Sequence, residues 1–306
     1  MKSVKTGPGF TLIELLVVIA IIALLMSILM PALKKIKDVA AMKICGNNTR
    51  QIMMACLAYA PDNNEEVPRS VTRYKSENTA LVGQEVLNSS WVCLPVRDPS
   101  RTPANVSDFI SPNTATQDQR LAGIRHGTLY PYLENTEVYH CPRDDRMHKY
   151  GLGYRTYSLN HSIFNGIQDP GSINAWGRVA KRVSDIKAPG SRMAVVEQAD
   201  PRGFNWDGLV FSSGGVNGWE EPLANWHQGG FMYSCFDGHV ETYQILEEAT
   251  QVYIAECREK PDVWLHYENS KAVVIKAGSA NQDLFNLTRL LDVYGFTSKW
   301  SWTLSK

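Results

Sequence analysis

The stretch Phe10-Thr11-Leu12-Ile13-Glu14-Leu15-Leu16-Val17-Val18-Ile19-Ala20-Ile21-Ile22-Ala23-Leu24-Leu25-Met26-Ser27-Ile28-Leu29-Met30 carries one formal charge, Glu14. At a helical rise of about 1.5 Å per residue it spans roughly 30 Å, the thickness of one hydrocarbon core. A secretory signal has an apolar centre of only about 7–15 residues before a small-residue cleavage site. Neither feature is present, so the stretch predicts a retained membrane helix. Glu14 then demands an explanation, because a carboxylate in an apolar helix costs at least about 2.5 kcal/mol unless it is partnered.

Outward on the amino side lies a short polar leader, Met1 to Gly9, with Lys2 and Lys5 and ending Gly7-Pro8-Gly9. The combination of this leader, Gly9-Phe10-Thr11 and an acid five residues into the following chain resembles the class III signal of type IV prepilins and type II secretion pseudopilins. The resemblance implies cleavage between Gly9 and Phe10 by a prepilin peptidase and methylation of the new Phe10 amine. It also implies that Glu14 pairs with the Phe10 amine of a neighbouring subunit in a filament. The positive-inside rule does not orient the chain, since Lys34, Lys35 and Lys37 follow the span as densely as Lys2 and Lys5 precede it. A cytoplasmic amino terminus and a periplasmic carboxy-terminal domain follow from the resemblance alone.

Outward on the carboxyl side, Pro31 predicts a kink rather than a stop. Helical periodicity resumes at Leu33, Ile36, Ala40 and Ile44 and again at Ile52, Cys56 and Tyr59. Pro61 and the polar run Asp62 to Glu66 are expected to end the helix near Tyr59. The second half, amphipathic, is the part expected to pack on a globular domain. Pro31-Ala32-Leu33 and Cys45-Gly46-Asn47-Asn48-Thr49-Arg50-Gln51 resemble a large bacterial subgroup of pilin-like proteins whose pattern is Cys-x-x-Asn-Leu-Arg-Gln. Thr49 stands where that pattern has Leu.

Residues 61 to 140 are rich in turn formers, with Trp91 to Leu94 a candidate strand and Leu121 to Leu133 a short helical segment before Tyr139-His140-Cys141-Pro142. Strands are predicted at Tyr154 to Leu159 and Arg192 to Glu197. From Gly230 to Ile245, two strand-forming runs flank Asp237-Gly238, which predicts a hairpin with a two-residue type I′ connection. His227, nine residues and Asp237-Gly238 match the H-X9-DG signature of the same pilin-like subgroup. Beyond Leu246, Glu247 to Glu259 and Asp283 to Tyr294 predict helices around a strand at Ala272 to Ile275.

The chain has 31 basic and 31 acidic residues and no block of like charge long enough to form a nucleic-acid footprint, which argues against nucleic acid as a partner. Its six cysteines contain no C-x-x-C pair, so cysteine-bound metal is not expected. Cys45 and Cys56 lie roughly 16 Å apart on one straight helix and cannot pair with each other. The other pairings are open. His227, Asp237, His239 and Glu197 are the residues whose types fit metal binding or acid–base chemistry. Turn chemistry already accounts for Asp237 and Gly238, and no activated nucleophile accompanies them, so no enzyme activity, metal or cofactor is expected. Asp200 and Asp207 are calcium candidates whose spacing does not fit the twelve-residue EF-hand loop.

Together these features predict an α+β, pilin-like chain with a long amino-terminal helix laid against an antiparallel sheet. Its segments are a leader at 1–9, an assembly helix at 10–30, an amphipathic continuation at 31–60, a globular domain at 61–246 and an extension at 247–306. The resemblance implies a structural subunit of a type II secretion pseudopilus or type IV pilus-like filament. Its partners would be prepilin peptidase, other pilin-like subunits, the inner-membrane assembly machinery and the inner membrane. The alternative is a membrane-anchored envelope protein whose tryptophans, among them Trp176, Trp206, Trp219 and Trp226, line a glycan groove.

Overall fold

The computed structural model describes residues 11–70, 72, 90–112, 114–146, 155–161, 163–164, 180–199, 208–209, 211–212, 218–219, 223–259 and 282–291. Helix α1, Leu12–Asp62, runs 51 residues and continues through Pro31. The chain divides into two compact units, residues 1–41 and 42–306.

The first unit holds the apolar part of α1. Its side chains from Leu12 to Met30 are exposed on all sides, Leu12 at 86 % and Ile28 at 67 %. Every face of the segment is apolar, the pattern of a helix that has no side turned to water.

In the second unit the remainder of α1 presents Cys45, Ile52, Met53, Ala55 and Cys56 to one hydrophobic core. The helix ends three residues later than the periodicity predicts, with Pro61 inside its last turn. Asn63 Nδ2 donates to the Tyr59 carbonyl at 2.8 Å, and the amide of Glu65 donates to the Ala60 carbonyl at 2.8 Å. Asn64 and Glu65, at φ 56° and 62°, turn the chain out through the left-handed region. A proline ring clashes one turn back and removes its own amide, so it disturbs the helix behind it rather than closing the residues ahead.

The sheet is antiparallel and four-stranded, in the order β1 (Tyr157–Leu159), β2 (Met193–Glu197), β5 (Gly230–Cys235), β6 (Val240–Gln244). A separate two-stranded ladder joins β3 (Phe211–Ser212) to β4 (Gly218–Trp219). β1, β2 and β5 are buried along their whole length, and β6 is the half-exposed edge. Trp91 to Leu94 is not a strand. It is a buried irregular segment whose amides bond out to Arg69 and Gly123 carbonyls. Glycine makes the approach possible: a Cβ at Gly127 would lie 2.2 Å from the Trp91 carbonyl oxygen. The segment from 117 to 133 forms two helices, α2 (Gln117–Arg125) with a Thr116–Gln119 capping box, and α3 (Tyr130–Leu133).

The β5–β6 hairpin forms where predicted, but its connection differs. The Gly238 amide donates to the Cys235 carbonyl at 2.9 Å and the Cys235 amide to the His239 carbonyl at 2.8 Å, which makes a three-residue loop. Gly238 alone has positive φ, 89°. A type I′ turn needs two such residues; a three-residue loop needs one, at its last position. The pair of positive-φ residues sits at the opposite end of β5, at Gln228 (55°) and Gly229 (84°), where His227 and Gly230 exchange backbone bonds.

Two helices close the described chain, α4 (Glu248–Glu259) and α5 (Gln282–Leu291). Both belong to the second unit: Ile254 and Leu287 are in its core. Asp283, fully buried, accepts from the Tyr243 hydroxyl and the Leu246 amide at 2.9 Å and from the Glu247 amide at 2.9 Å. The strand predicted at 272–275 lies outside the described residues.

Candidate functional site

Among the described residues, two places concentrate chemistry. The first is the start of α1. The Thr11 amide and hydroxyl both donate to Glu14 Oε2 at 2.8 Å, and the Glu14 amide donates back to Thr11 Oγ1 at 3.3 Å. Thr11-Leu12-Ile13-Glu14 is therefore a capping box, reciprocal bonds that satisfy two of the free amides of a helix start. The signal Thr-x-x-Glu before an apolar run was in the sequence and supplies Glu14 with a local partner. Both side-chain bonds fall on Oε2, which leaves Oε1 to accept a cation. Gly9 and Phe10 lie outside the described residues.

The second place is a buried cluster where α1 meets the sheet. Cys45 and Asn48 share one face of α1, one turn apart. Asn48 Nδ2 donates to the His140 carbonyl at 3.2 Å and to the Tyr157 hydroxyl at 3.3 Å, which docks the helix on the His140-Cys141 segment and on β1. Thr49 is also fully buried; its hydroxyl donates to the Gly46 carbonyl at 2.9 Å, so the replacement of Leu by Thr leaves no unpaired polar atom there. Cys141 is held from behind by its own amide, which donates to Thr156 Oγ1 at 2.9 Å. Thr156 Oγ1 in turn donates to Asp144 at 2.8 Å, and Asp144 is in a buried ion pair with Arg146 at 2.5 Å.

Cys45, Cys141, Glu197 and His227 each send one ligand atom into this space, all within 4.8 Å of one another and all buried. Cys45 Sγ and Cys141 Sγ are 2.7 Å apart, His227 Nε2 is 2.9 Å from Glu197 Oε1 and 3.6 Å from Cys141 Sγ. The second carboxylate oxygen, Glu197 Oε2, accepts from the Met232 amide at 2.8 Å. Burial pulls the His227 pKa down, but the contacts with Cys141 and Glu197 outweigh it and raise it to about 9. Burial is also the main reason the Cys141 thiol is pushed far above its ordinary value.

The residues grouped by type in the sequence thus fall into two groups in space. Glu197 and His227 meet inside the core. Asp237 and His239 sit at the other end of β5, exposed, with His239 Nδ1 2.6 Å from Asp237 Oδ1 and His239 Nε2 3.2 Å from Glu241 Oε1. The Asp237 carboxylate also accepts from the His239 amide at 3.1 Å, the turn role expected of it. The nine-residue interval of the motif is the length of β5 with its two turns. Cys45 and Cys141 were not assigned to this cluster by sequence; each stood in a short motif, Cys-x-x-Asn and Cys-Pro, that spoke only of packing.

Of the aromatic candidates, Trp226 is buried beneath Arg146, whose guanidinium carbon is 5.2 Å from the ring centroid, and Trp91 lies under Arg155 at 4.9 Å. Both are core residues. Trp176, Trp206, Asp200 and Asp207 lie outside the described residues, and the side chain of Trp219 is not described.

In comparison with known proteins, residues 8–30 match the prokaryotic N-terminal methylation motif. No curated protein and no solved structure matches the chain. The matched segment begins just before the Gly9-Phe10 junction and covers the apolar run, which fits membrane anchoring, while the rest is a long helix joined to a four-stranded antiparallel sheet. The amino-terminal segment of this α+β chain matches the prokaryotic N-terminal methylation motif, consistent with a type IV pilin-like cleavage and methylation domain.

Proposed function

We propose that the chain is a structural, non-catalytic pilin-like subunit, cut by prepilin peptidase between Gly9 and Phe10 and assembled into a type II secretion pseudopilus or type IV pilus-like filament. Before assembly it is held in the bacterial inner membrane by residues 10–30, with its amino terminus cytoplasmic and its globular unit periplasmic. The observation that carries this reading is a methylation-motif helix whose apolar side chains, Leu12 to Met30, are exposed on every side. Such a surface is stable in lipid, and equally against copies of itself in a filament core. Glu14 keeps Oε2 for its own helix cap and offers Oε1 to the Phe10 amine of the next subunit, which sets the axial register.

The test begins with the mass of the amino-terminal peptide of protein from its native membrane. A chain starting at Phe10 with one added methyl group supports the reading; a chain starting at Met1 overturns it. Filament yield then separates the two roles of Glu14. A glutamine preserves the capping box but not the charge, so Glu14→Gln is expected to insert, be cleaved and fail to assemble, as is Glu14→Ala. Normal filaments from Glu14→Gln would remove the proposed ion pair.

A further inference from the structure

We propose that Cys45, Cys141, Glu197 and His227 form a structural binding site for one divalent transition-metal ion of the zinc class. The donor set is two sulfurs, one imidazole nitrogen and one carboxylate oxygen, which are the ligand types of tetrahedral zinc. Four protein ligands leave no position for substrate or water, and all four residues are buried, Cys45, Cys141 and Glu197 at 0 % exposure. The site is therefore of the closed, structural kind.

Three features favour an ion over a set of separate pair contacts. Four atoms from four distant parts of the chain converge on one volume, all within 4.8 Å of each other. Tetrahedral zinc with bonds of about 2.0–2.3 Å places its ligand atoms roughly 3.3–3.8 Å apart. The Cys141–His227 separation of 3.6 Å is already in that interval, while the sulfurs, at 2.7 Å, and the His227–Glu197 pair, at 2.9 Å, move apart by about 0.5–1 Å to admit the ion. His227 Nε2 faces both Glu197 Oε1 and Cys141 Sγ. One ring nitrogen has a single proton or lone pair to share between two partners, and an ion placed among the three engages all of them.

Outer contacts also orient the ligands as a metal site needs. The Met232 amide takes Glu197 Oε2 and leaves Oε1 to coordinate, and the Arg143 amide donates to Cys141 Sγ at 3.4 Å. Donors of this kind stabilise thiolate sulfur and fix ligand direction. On binding, each cysteine loses its thiol proton to solvent, and His227 binds through neutral Nε2, so uptake is accompanied by proton release. The ion would fasten α1, the segment after Tyr139, the end of β2 and the entry to β5 at one point.

The full chain is isolated from its native membrane in detergent, with free thiols blocked at lysis and no chelator present. Metal analysis is expected to give one zinc per chain, with Cys45 and Cys141 alkylated only after denaturation in chelator. Replacement by cobalt is expected to produce thiolate-to-cobalt absorption in the near ultraviolet together with the intense visible bands of a tetrahedral site. Cys45→Ser and His227→Ala are expected to lose the ion, and Cys93→Ser, outside the cluster, to keep it. Because the first two variants also disturb a packed core, the cobalt spectrum of the unmodified chain decides independently. A Cys45–Cys141 disulfide in the native protein overturns the proposal, and so does failure of the fully reduced chain to take up cobalt or zinc.

Discussion

At the scale of single residues, position in the backbone decides more than chemical type. Asp237 and His239 look like a catalytic pair in the sequence, yet both are exposed and bonded to each other at a turn. Burial draws the His239 pKa down, but the bonds to Asp237 and Glu241 and their charges together outweigh it and raise it. A raised folded-state pKa stabilises the fold fully below the unfolded value of about 6.5, and that contribution is lost as pH rises through the folded value. Proton-detected titration of His239 is expected to show a pKa above the free value, and Asp237→Asn to bring it down. Gly238, at φ 89°, holds the one left-handed position of the hairpin loop. Gly238→Ala is expected to cost about 1–2 kcal/mol, read as a lower denaturant midpoint with unchanged slope.

Among the elements, Asp144, Arg146 and Thr156 show how a polar network positions a core cysteine, Cys141. Arg146 and Asp144 are a buried pair, with side chains 2 % and 0 % exposed. Burial raises the Asp144 pKa, but the Arg146 charge and hydrogen bonds prevail and lower it overall. Its contribution is therefore present above the unfolded carboxylate value and lost as pH falls through the folded one. Arg146→Ala strands that carboxylate and removes the cation over Trp226. It is expected to destabilise by about 3–5 kcal/mol in thermal or denaturant unfolding. The start of α1 follows the same logic on a smaller scale: Thr11→Ala removes half of the capping box and is expected to weaken the helix start by about 1 kcal/mol, seen as faster amide exchange in the first turn in detergent.

Across the second unit, α4 and α5 behave as part of the core rather than as an appendage. Asp283 on α5 satisfies the Leu246 and Glu247 amides just beyond β6 and the hydroxyl of Tyr243. Asp283→Ala leaves those donors without their acceptor and is expected to lower stability by about 1–3 kcal/mol or more, with loss in one cooperative unfolding transition. Two separate transitions in that variant would mean that residues beyond Leu246 fold on their own.

What the sequence determined by itself is the local and periodic part of this protein. An uninterrupted apolar run and amphipathic spacing after Pro31 are properties of neighbouring residues, and they gave the membrane helix and its continuation. Strands at 193–197, 230–235 and 240–244 were legible for the same reason, since alternation and β-branched residues act within a few positions. The loop type was not, because the choice between two- and three-residue connections depends on where the strands stop pairing. Cys45, Cys141, Glu197 and His227 are separated by dozens of residues and share no spacing rule. Only the docking of α1 through Asn48, the network behind Cys141 and the β2–β5 pairing bring their donor atoms together. Such convergence is a product of long-range packing, to which the pattern of nearby residues is blind.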